Sequence, residues 1–118
     1  MHLIAFVGSD RENWGQITAL LNRMECEQIV LVANKGAAGF PANEKCKVID
    51  VKSESPLLAL REELDKKLRP LVGREFEVAV SLASGTGKEH LALLSALLNI
   101  PVGIKLVAYT KEGVQFLT

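Results

Sequence analysis

Residues that could bind a phosphate group lie close together in the stretch SLASGTGKEH, whose turn consists of Ser84, Gly85, Thr86, Gly87 and Lys88. The two glycines let the backbone turn its amides toward a ligand, because they carry no Cβ. The hydroxyl groups and the first amides of the following helix add further donors. Lys88 opposes the helix dipole, at a cost of a few tenths to about 1 kcal/mol that a bound anion would offset. The pattern predicts an anion site, and the alternative is a tight turn whose lysine points into water.

Two widespread phosphate motifs do not fit this loop. A P-loop needs a glycine five positions before the Gly-Lys pair and a Ser or Thr directly after it, but Leu82 and Glu89 stand there. A dinucleotide-binding G-x-G-x-x-G would need a third glycine where His90 stands, and it would follow the first strand of the domain rather than the fourth. The sequence therefore argues against both motifs.

The elements that must position this loop alternate along the chain. Apolar runs predict strands at residues 2–8, 28–34, 47–51, 76–82, 103–109 and 114–118, the last two forming a hairpin turned at Gly113. Helical spacing of apolar residues predicts helices at 12–24, from Ser55-Pro56 to Gly73, and at 91–100. We expect Ser55 to cap the second helix, with proline at its first position, and Asp10 or Asn13 to cap the first.

This order predicts an α/β fold. We expect a Rossmann-like, mostly parallel sheet flanked by helices on both faces, with a C-terminal β-hairpin. The segment 35–46 is rich in Gly, Ala and Pro and barely long enough for a parallel crossover, so we expect a loop with one short helical turn. The apolar stripe of the second helix is predicted to comprise Leu57, Leu60, Leu64, Leu68 and Leu71.

A second polar loop should face the first. In a strand order of 3-2-1-4-5 the first and fourth strands are neighbours, and ligands bind beyond the carboxyl ends of such strands, where the winding direction reverses. The loop after the first strand would therefore join the turn described above. The candidate ligand-binding residues are Gly8, Ser9, Asp10, Arg11, Ser84, Gly85, Thr86, Gly87, Lys88 and His90.

The third helix is apolar on nearly all sides. Its apolar residues are Leu91, Leu93, Leu94, Leu97, Leu98 and Ile100. A helix of this kind must be covered all round. One face should meet the sheet, and we expect the other to meet a second copy in a two-fold homodimer. The alternative is complete burial within one chain.

Composition limits the remaining functions. The 118 residues suit a single domain spanning 1–118, and 48% of them are apolar. The 14 basic and 14 acidic residues balance, so we expect no binding of long nucleic acids. No apolar run suggests a signal peptide or membrane span, and the two cysteines form no C-x-x-C motif, so a cytoplasmic protein with reduced thiols is expected. No metal or cofactor is predicted.

The loop GSDR after the first strand and the stretch SLASGTGKEH followed by LALLSALL resemble the CARF (CRISPR-associated Rossmann fold) family over nearly the whole chain. The resemblance implies a dimer that binds a cyclic oligoadenylate, a second messenger of type III CRISPR antiviral defence, in a groove across the two-fold axis. Most members carry an effector domain, which these residues have no room for. The implied roles are therefore a stand-alone binder, a ligand buffer or a metal-independent ring nuclease.

The resemblance also implies roles for individual residues. In ring nucleases of the family a polar residue of the first loop and a lysine of the second act in cleavage, and Ser9 and Lys88 stand at those places. The ribose 2′-hydroxyl would attack the phosphorus, and Lys88 would stabilise the growing charge. His90 could serve as a general acid or base, or simply face the sheet or solvent. Two other hypotheses stay open: a sensor of a mononucleotide or small phosphate, and an interaction protein in which the loop has no role.

Overall fold

The computed structural model describes all 118 residues and shows an α/β fold. The elements are β1 (His2–Val7), α1 (Trp14–Arg23), β2 (Ile29–Ala33), β3 (Cys46–Asp50), α2 (Leu57–Val72), β4 (Glu77–Ser81), α3 (Gly87–Leu98), β5 (Gly103–Thr110) and β6 (Gly113–Phe116). Short 3-10 turns lie at Arg11–Asn13 and Lys35–Ala37. The second of them is the helical turn expected in the 35–46 connection.

One six-stranded sheet has the order β3-β2-β1-β4-β5-β6. The first five strands are parallel, and β5 and β6 form an antiparallel hairpin. The predicted neighbourhood of the first and fourth strands is confirmed, since Ala5 of β1 aligns with Ser81 of β4 on one side and Leu31 of β2 on the other. The carboxyl ends of five parallel strands therefore meet at one edge of the sheet.

Helices cover both faces of the sheet, as predicted. On one face α1 buries Ile17 and Leu20 against the β1 residues Leu3 and Ala5. On the other face α2 and α3 pack against each other and against the opposite side of β1. β1 is buried on both faces because it lies between these two layers, which explains why its sequence is a continuous apolar run.

The helix starts differ from the predicted caps. Pro56 occupies the N-cap position of α2, Leu57 begins the helix, and no side chain caps it, so the expected Ser55 cap is wrong. Neither Asp10 nor Asn13 caps a helix through its side chain. The Asp10 carboxylate instead accepts hydrogen bonds from across the sheet edge, where more donors are available to it.

The predicted apolar stripe of α2 is partly correct. Leu60, Leu64 and Leu68 are fully buried, and Val72 completes the stripe. Leu57 is exposed at the first helical turn and lies outside the core, whereas Leu71 is partly buried and packs against the core. The core stripe therefore begins at Leu60, about one turn later than expected.

The third helix is buried on one side only within this chain. Ala92, Leu93, Ala96 and Leu97 are fully buried against the sheet and α2. On the outer side Leu98 is 76% exposed and Leu91 is 57% exposed. The alternative of complete burial of this helix within one chain is therefore wrong.

None of the three α-helices combines the length and the hydropathy that a membrane span requires.

Candidate functional site

A polar cleft of about 500 Å³ lies at the carboxyl edge of the parallel strands. None of its lining residues is hydrophobic, and together they come from the loops after β1, β2, β3 and β4 and from the first turn of α3. They are Ser9, Asp10, Asn34, Lys35, Gly36, Ser53, Glu54, Gly85, Thr86, Lys88 and Glu89. The cleft therefore lies at the reversal point where open sheets of this class bind ligands.

Asp10 joins the loop after β1 to the loop after β4. Ser84 Oγ donates a hydrogen bond to Asp10 Oδ1 at 2.5 Å, and the Gly85 amide donates to the same oxygen at 3.2 Å. Asn13 Nδ2 donates to Oδ2 at 2.8 Å. Burial alone would raise the pKa of Asp10, but the hydrogen bonds from Ser84, Asn13 and Gly85 outweigh it and lower that pKa. The two loops face each other as predicted. The Asp10 carboxylate already accepts hydrogen bonds from the Ser84 hydroxyl and the Gly85 amide, which would otherwise be free for a ligand.

Gly85 has a backbone that only glycine adopts readily, with φ of +106°. A Cβ built there would also lie 2.8 Å from Phe6 Cδ1, 3.1 Å from His90 Nε2 and 3.2 Å from Glu89 Oε1. The loop therefore needs this glycine both for its conformation and for the close packing beneath it.

Glu89 is the buried charge of the cleft, with 2% of its surface exposed. Its Oε1 accepts a hydrogen bond from the Thr86 amide at 2.8 Å, and the Glu89 amide donates back to the Thr86 hydroxyl, so the two form a capping box at the start of α3. Its Oε2 accepts from Asn34 Nδ2 at 2.8 Å and also from the Ser53 hydroxyl. Burial raises the pKa of Glu89, and the hydrogen bonds, led by that from Ser53, more than reverse this, so the pKa is lowered. One carboxylate thus holds the loops after β2, β3 and β4 together.

Lys88 lies at the rim of the cleft. Its Nζ donates a hydrogen bond to the Ser53 carbonyl at 2.8 Å, which carries the ammonium group over the loop after β3. The amides of Gly87 and Lys88, the first two of α3, have no acceptor within the chain. These amides and the lysine are the donors that the start of α3 leaves for an anion.

Half of the predicted ligand-binding residues line the cleft. These are Ser9, Asp10, Gly85, Thr86 and Lys88. The others, Gly8, Arg11, Ser84, Gly87 and His90, do not.

Gly8 and Ser84 are buried supports of the cleft rather than parts of its wall. The Gly8 amide donates to Ser84 Oγ at 2.9 Å, and the Gly8 carbonyl accepts from Trp14 Nε1 at 2.9 Å. Arg11 turns away from the cleft, with its guanidinium 3.3 Å from the Ala38 carbonyl and stacked over the Trp14 ring. Gly87 lies at the start of α3 beside open space.

His90 lies beneath the turn formed by Ser84 and Gly85. The sequence leaves open whether its ring acts as a general acid or base. Its Nε2 is 2.7 Å from the Ser84 carbonyl, and its ring meets the edge of Phe6. Because a carbonyl only accepts, Nε2 must carry the proton in this contact. His90 therefore supports the Ser84–Gly85 backbone from below.

Sequence reasoning missed the half of the cleft contributed by β2 and β3. Asn34, Lys35 and Gly36 follow directly after β2, and Ser53 and Glu54 follow β3. The available signal was the position of these polar residues, since all parallel strands deliver their carboxyl ends to one edge. Glu89 was missed because in the sequence it stands out only as a residue that does not fit the P-loop pattern. Nothing in the sequence indicates that its carboxylate is buried.

Comparison with known proteins finds similarity among solved structures. No family model and no curated protein matches the sequence. Among solved structures, the chain is similar to Enterococcus italicus Csm6 bound to cyclic hexa-2′-fluoro-hexa-dAMP, with a TM-score of 0.64 and 14% identity. The match covers 97% of this chain and 34% of that chain, so these residues correspond to about a third of the Csm6 chain. At this identity the likeness shows the fold alone, a CARF-like fold, as the sequence predicted.

Proposed function

We propose that this chain is a CARF-like domain that binds a cyclic oligoadenylate of type III CRISPR signalling. The observation that carries the proposal is the fold match over 97% of the chain to a Csm6 whose structure holds a cyclic hexa-dAMP analogue. The polar cleft supports it, because it lies where the loops after β1 and β4 face each other.

If the ligand is a ring, the size of the cleft implies that two chains bind it. A volume of about 500 Å³ is within the range that takes one drug-sized ligand. One nucleotide is of that size, but a ring of four or six is several times larger. Two clefts related by a two-fold axis would present every loop twice to one ring, and the exposed outer side of α3, with Leu91 and Leu98, offers an apolar surface for pairing.

Phosphate groups would bind at the start of α3. Lys88 supplies the charge, the free amides of Gly87 and Lys88 supply aligned donors, and the exposed Ser9 adds a hydroxyl group. The amides of Gly85 and Thr86 are used internally by Asp10 and Glu89, so they are weaker candidates than the sequence suggested.

Calorimetry with cyclic tetraadenylate and cyclic hexaadenylate tests the proposal, with chromatography of the mixture to detect linear products. We expect one ring to bind per two chains. Lys88→Ala should weaken binding at least about tenfold, since a hydrogen bond to a charged group contributes about 1.5–3 kcal/mol. Lys66→Ala, which removes an exposed charge from α2, is the matched control and should bind like the wild type.

The products decide between the possible roles. Binding without products would indicate a sensor or ligand buffer, whereas linear products lost in Lys88→Ala and Ser9→Ala would indicate a ring nuclease. Failure to bind either ring would refute the proposal.

A second candidate is a sensor of a mononucleotide or other small phosphate. The cleft volume favours it, because one chain alone holds a ligand of that size. Stoichiometry separates the two: one ligand per chain supports the mononucleotide, and one per dimer supports the ring.

A further inference from the structure

The charged residues of the cleft differ in whether the chain already uses them. Asp10 and Glu89 accept several hydrogen bonds each, and Lys88 donates to the Ser53 carbonyl. Lys35 and Glu54 are exposed and make no side-chain hydrogen bond or ion pair within the chain. They are therefore the uncommitted donor and acceptor that a ligand in the cleft would meet.

Lys35 and Glu54 are held near each other through their neighbours. Asn34 Nδ2 and the Ser53 hydroxyl both donate to the same oxygen, Oε2 of Glu89. Lys35 directly follows Asn34, and Glu54 directly follows Ser53. The shared carboxylate oxygen therefore holds the backbone at Lys35 close to the backbone at Glu54, and both residues line the cleft.

The position of Lys35 is also fixed from its other side. Asn34 Oδ1 accepts a hydrogen bond from the Gly36 amide at 2.8 Å, so the Asn34 side chain spans Lys35. A Cβ at Gly36 would lie 2.5 Å from Ser9 Cβ, which means that this turn packs tightly against the loop after β1. The backbone that presents Lys35 is thus set before any ligand binds.

We propose that Lys35 and Glu54 form a base-reading subsite that selects adenine, an inference that rests on the proposed function. The major-groove edge of adenine presents a ring nitrogen, N7, as acceptor and a 6-amino group as donor. The Lys35 ammonium complements the acceptor, and the Glu54 carboxylate complements the donor. The corresponding edge of guanine presents two acceptors, N7 and O6, and the second would face the carboxylate without a proton between them.

Hydrogen bonding rather than stacking carries this selection. The lining of the cleft holds no aromatic or aliphatic residue on which a base could stack. The identity of the base would then depend on the two charged side chains alone, which makes the subsite sensitive to single substitutions.

The test compares cyclic tetraadenylate with cyclic tetrainosinate, in which an oxo group replaces every 6-amino group while the phosphates and N7 stay the same. The wild type should prefer the adenylate by about 5- to 150-fold, the range for one well-made pair of base contacts. Glu54→Ala should bring the two affinities close to each other. Glu54→Gln should improve inosinate binding relative to the wild type, because its amide group can donate to O6. Glu62→Ala, an exposed substitution on α2, is the control and should keep the wild-type preference.

Lys35→Ala should weaken both rings, since both carry N7, and should leave the salt dependence of binding nearly unchanged. A Lys35→Ala protein that loses about one unit of salt slope would place this lysine on a phosphate and overturn the assignment.

The result for Glu54 separates the subsite from the function on which it rests. If both rings bind and Glu54→Ala keeps the full preference for adenylate, the subsite is refuted and the proposed function stands. If neither cyclic tetraadenylate nor cyclic hexaadenylate binds to the wild type, the proposed function and the subsite both fail.

Discussion

Replacing Gly85 with alanine tests the packing beneath the loop after β4. The new methyl group would lie 2.8 Å from Phe6 Cδ1 and close to His90 Nε2 and Glu89 Oε1. None of these neighbours can move aside easily: Phe6 is fully buried, His90 is hydrogen-bonded to the Ser84 carbonyl, and Glu89 holds the Thr86 amide. The substitution should therefore cost both backbone strain and steric repulsion.

The magnitude follows from these two contributions. A non-glycine residue at φ of +106° costs about 1–3 kcal/mol of strain, and an extra methyl group in a tight core costs about 1–3 kcal/mol. The free energy of unfolding of Gly85→Ala should fall by about 2–6 kcal/mol. Gly113→Ala isolates the strain, because Gly113 has φ of +99° but no atom within 4 Å of its built Cβ. It should lose only about 1–3 kcal/mol.

Gly87→Ala provides the third comparison. It has neither a positive φ nor a neighbour within 4 Å, so alanine there should be neutral or stabilise the fold by up to about 1 kcal/mol. Urea denaturation of the three variants, followed by far-ultraviolet circular dichroism, gives the free energies. Equal losses for Gly85→Ala and Gly113→Ala would show that the contacts beneath Gly85 contribute nothing to the free energy of unfolding. The reasoning about the packing beneath the loop after β4 would then be wrong.

Three further perturbations test other parts of the structure. The folded-state pKa values of Asp10 and Glu89 lie below their ordinary values of 3.8 and 4.5, so their stabilisation is present above those values and is lost as the pH falls through the folded pKa values. Urea denaturation should show stability falling as the pH drops below about 4.5, and Glu89→Gln should flatten this decline. Trp14→Phe removes the donor to the buried Gly8 carbonyl and should cost about 1–3 kcal/mol in the same assay, whereas unchanged stability would mean that water replaces the indole. Leu98→Lys should convert a dimer to a monomer in analytical ultracentrifugation, with Leu58→Lys on α2 as the control; a dimer that survives Leu98→Lys must use another face.

The fold could be predicted because its signals are local. A continuous apolar run such as residues 2–8 indicates a strand buried on both sides, and helices between such strands leave few topologies. Helix starts were less predictable, because capping depends on which donors lie nearby in three dimensions. Asp10 would satisfy the sequence rule for a cap, yet its carboxylate reaches Ser84 and Gly85, 74 and 75 residues away.

The candidate site could be predicted only in part for the same reason. The glycines and Lys88 indicate a ligand-binding loop, because glycine lets the backbone turn its amides outward and a lysine is unfavourable at the start of a helix. Lys35 and Glu54 are ordinary surface residues in the sequence, and they matter only because Glu89 brings their neighbours to a single oxygen atom. The sequence leaves His90 open as a general acid or base or as a residue facing the sheet or solvent, and the fold places its ring against the Ser84 carbonyl, where it supports the turn.

The Glu89 bridge also limits how this edge of the protein can change. Connections between parallel strands ordinarily vary in length and composition independently of one another. Here Asn34, Ser53 and Thr86 share one carboxylate, so an insertion directly beside any one of them would pull its donor away from the group that the other two also use. Insertions should accordingly be tolerated at the exposed segment 41–45, and the carboxyl edge should accept only coordinated changes.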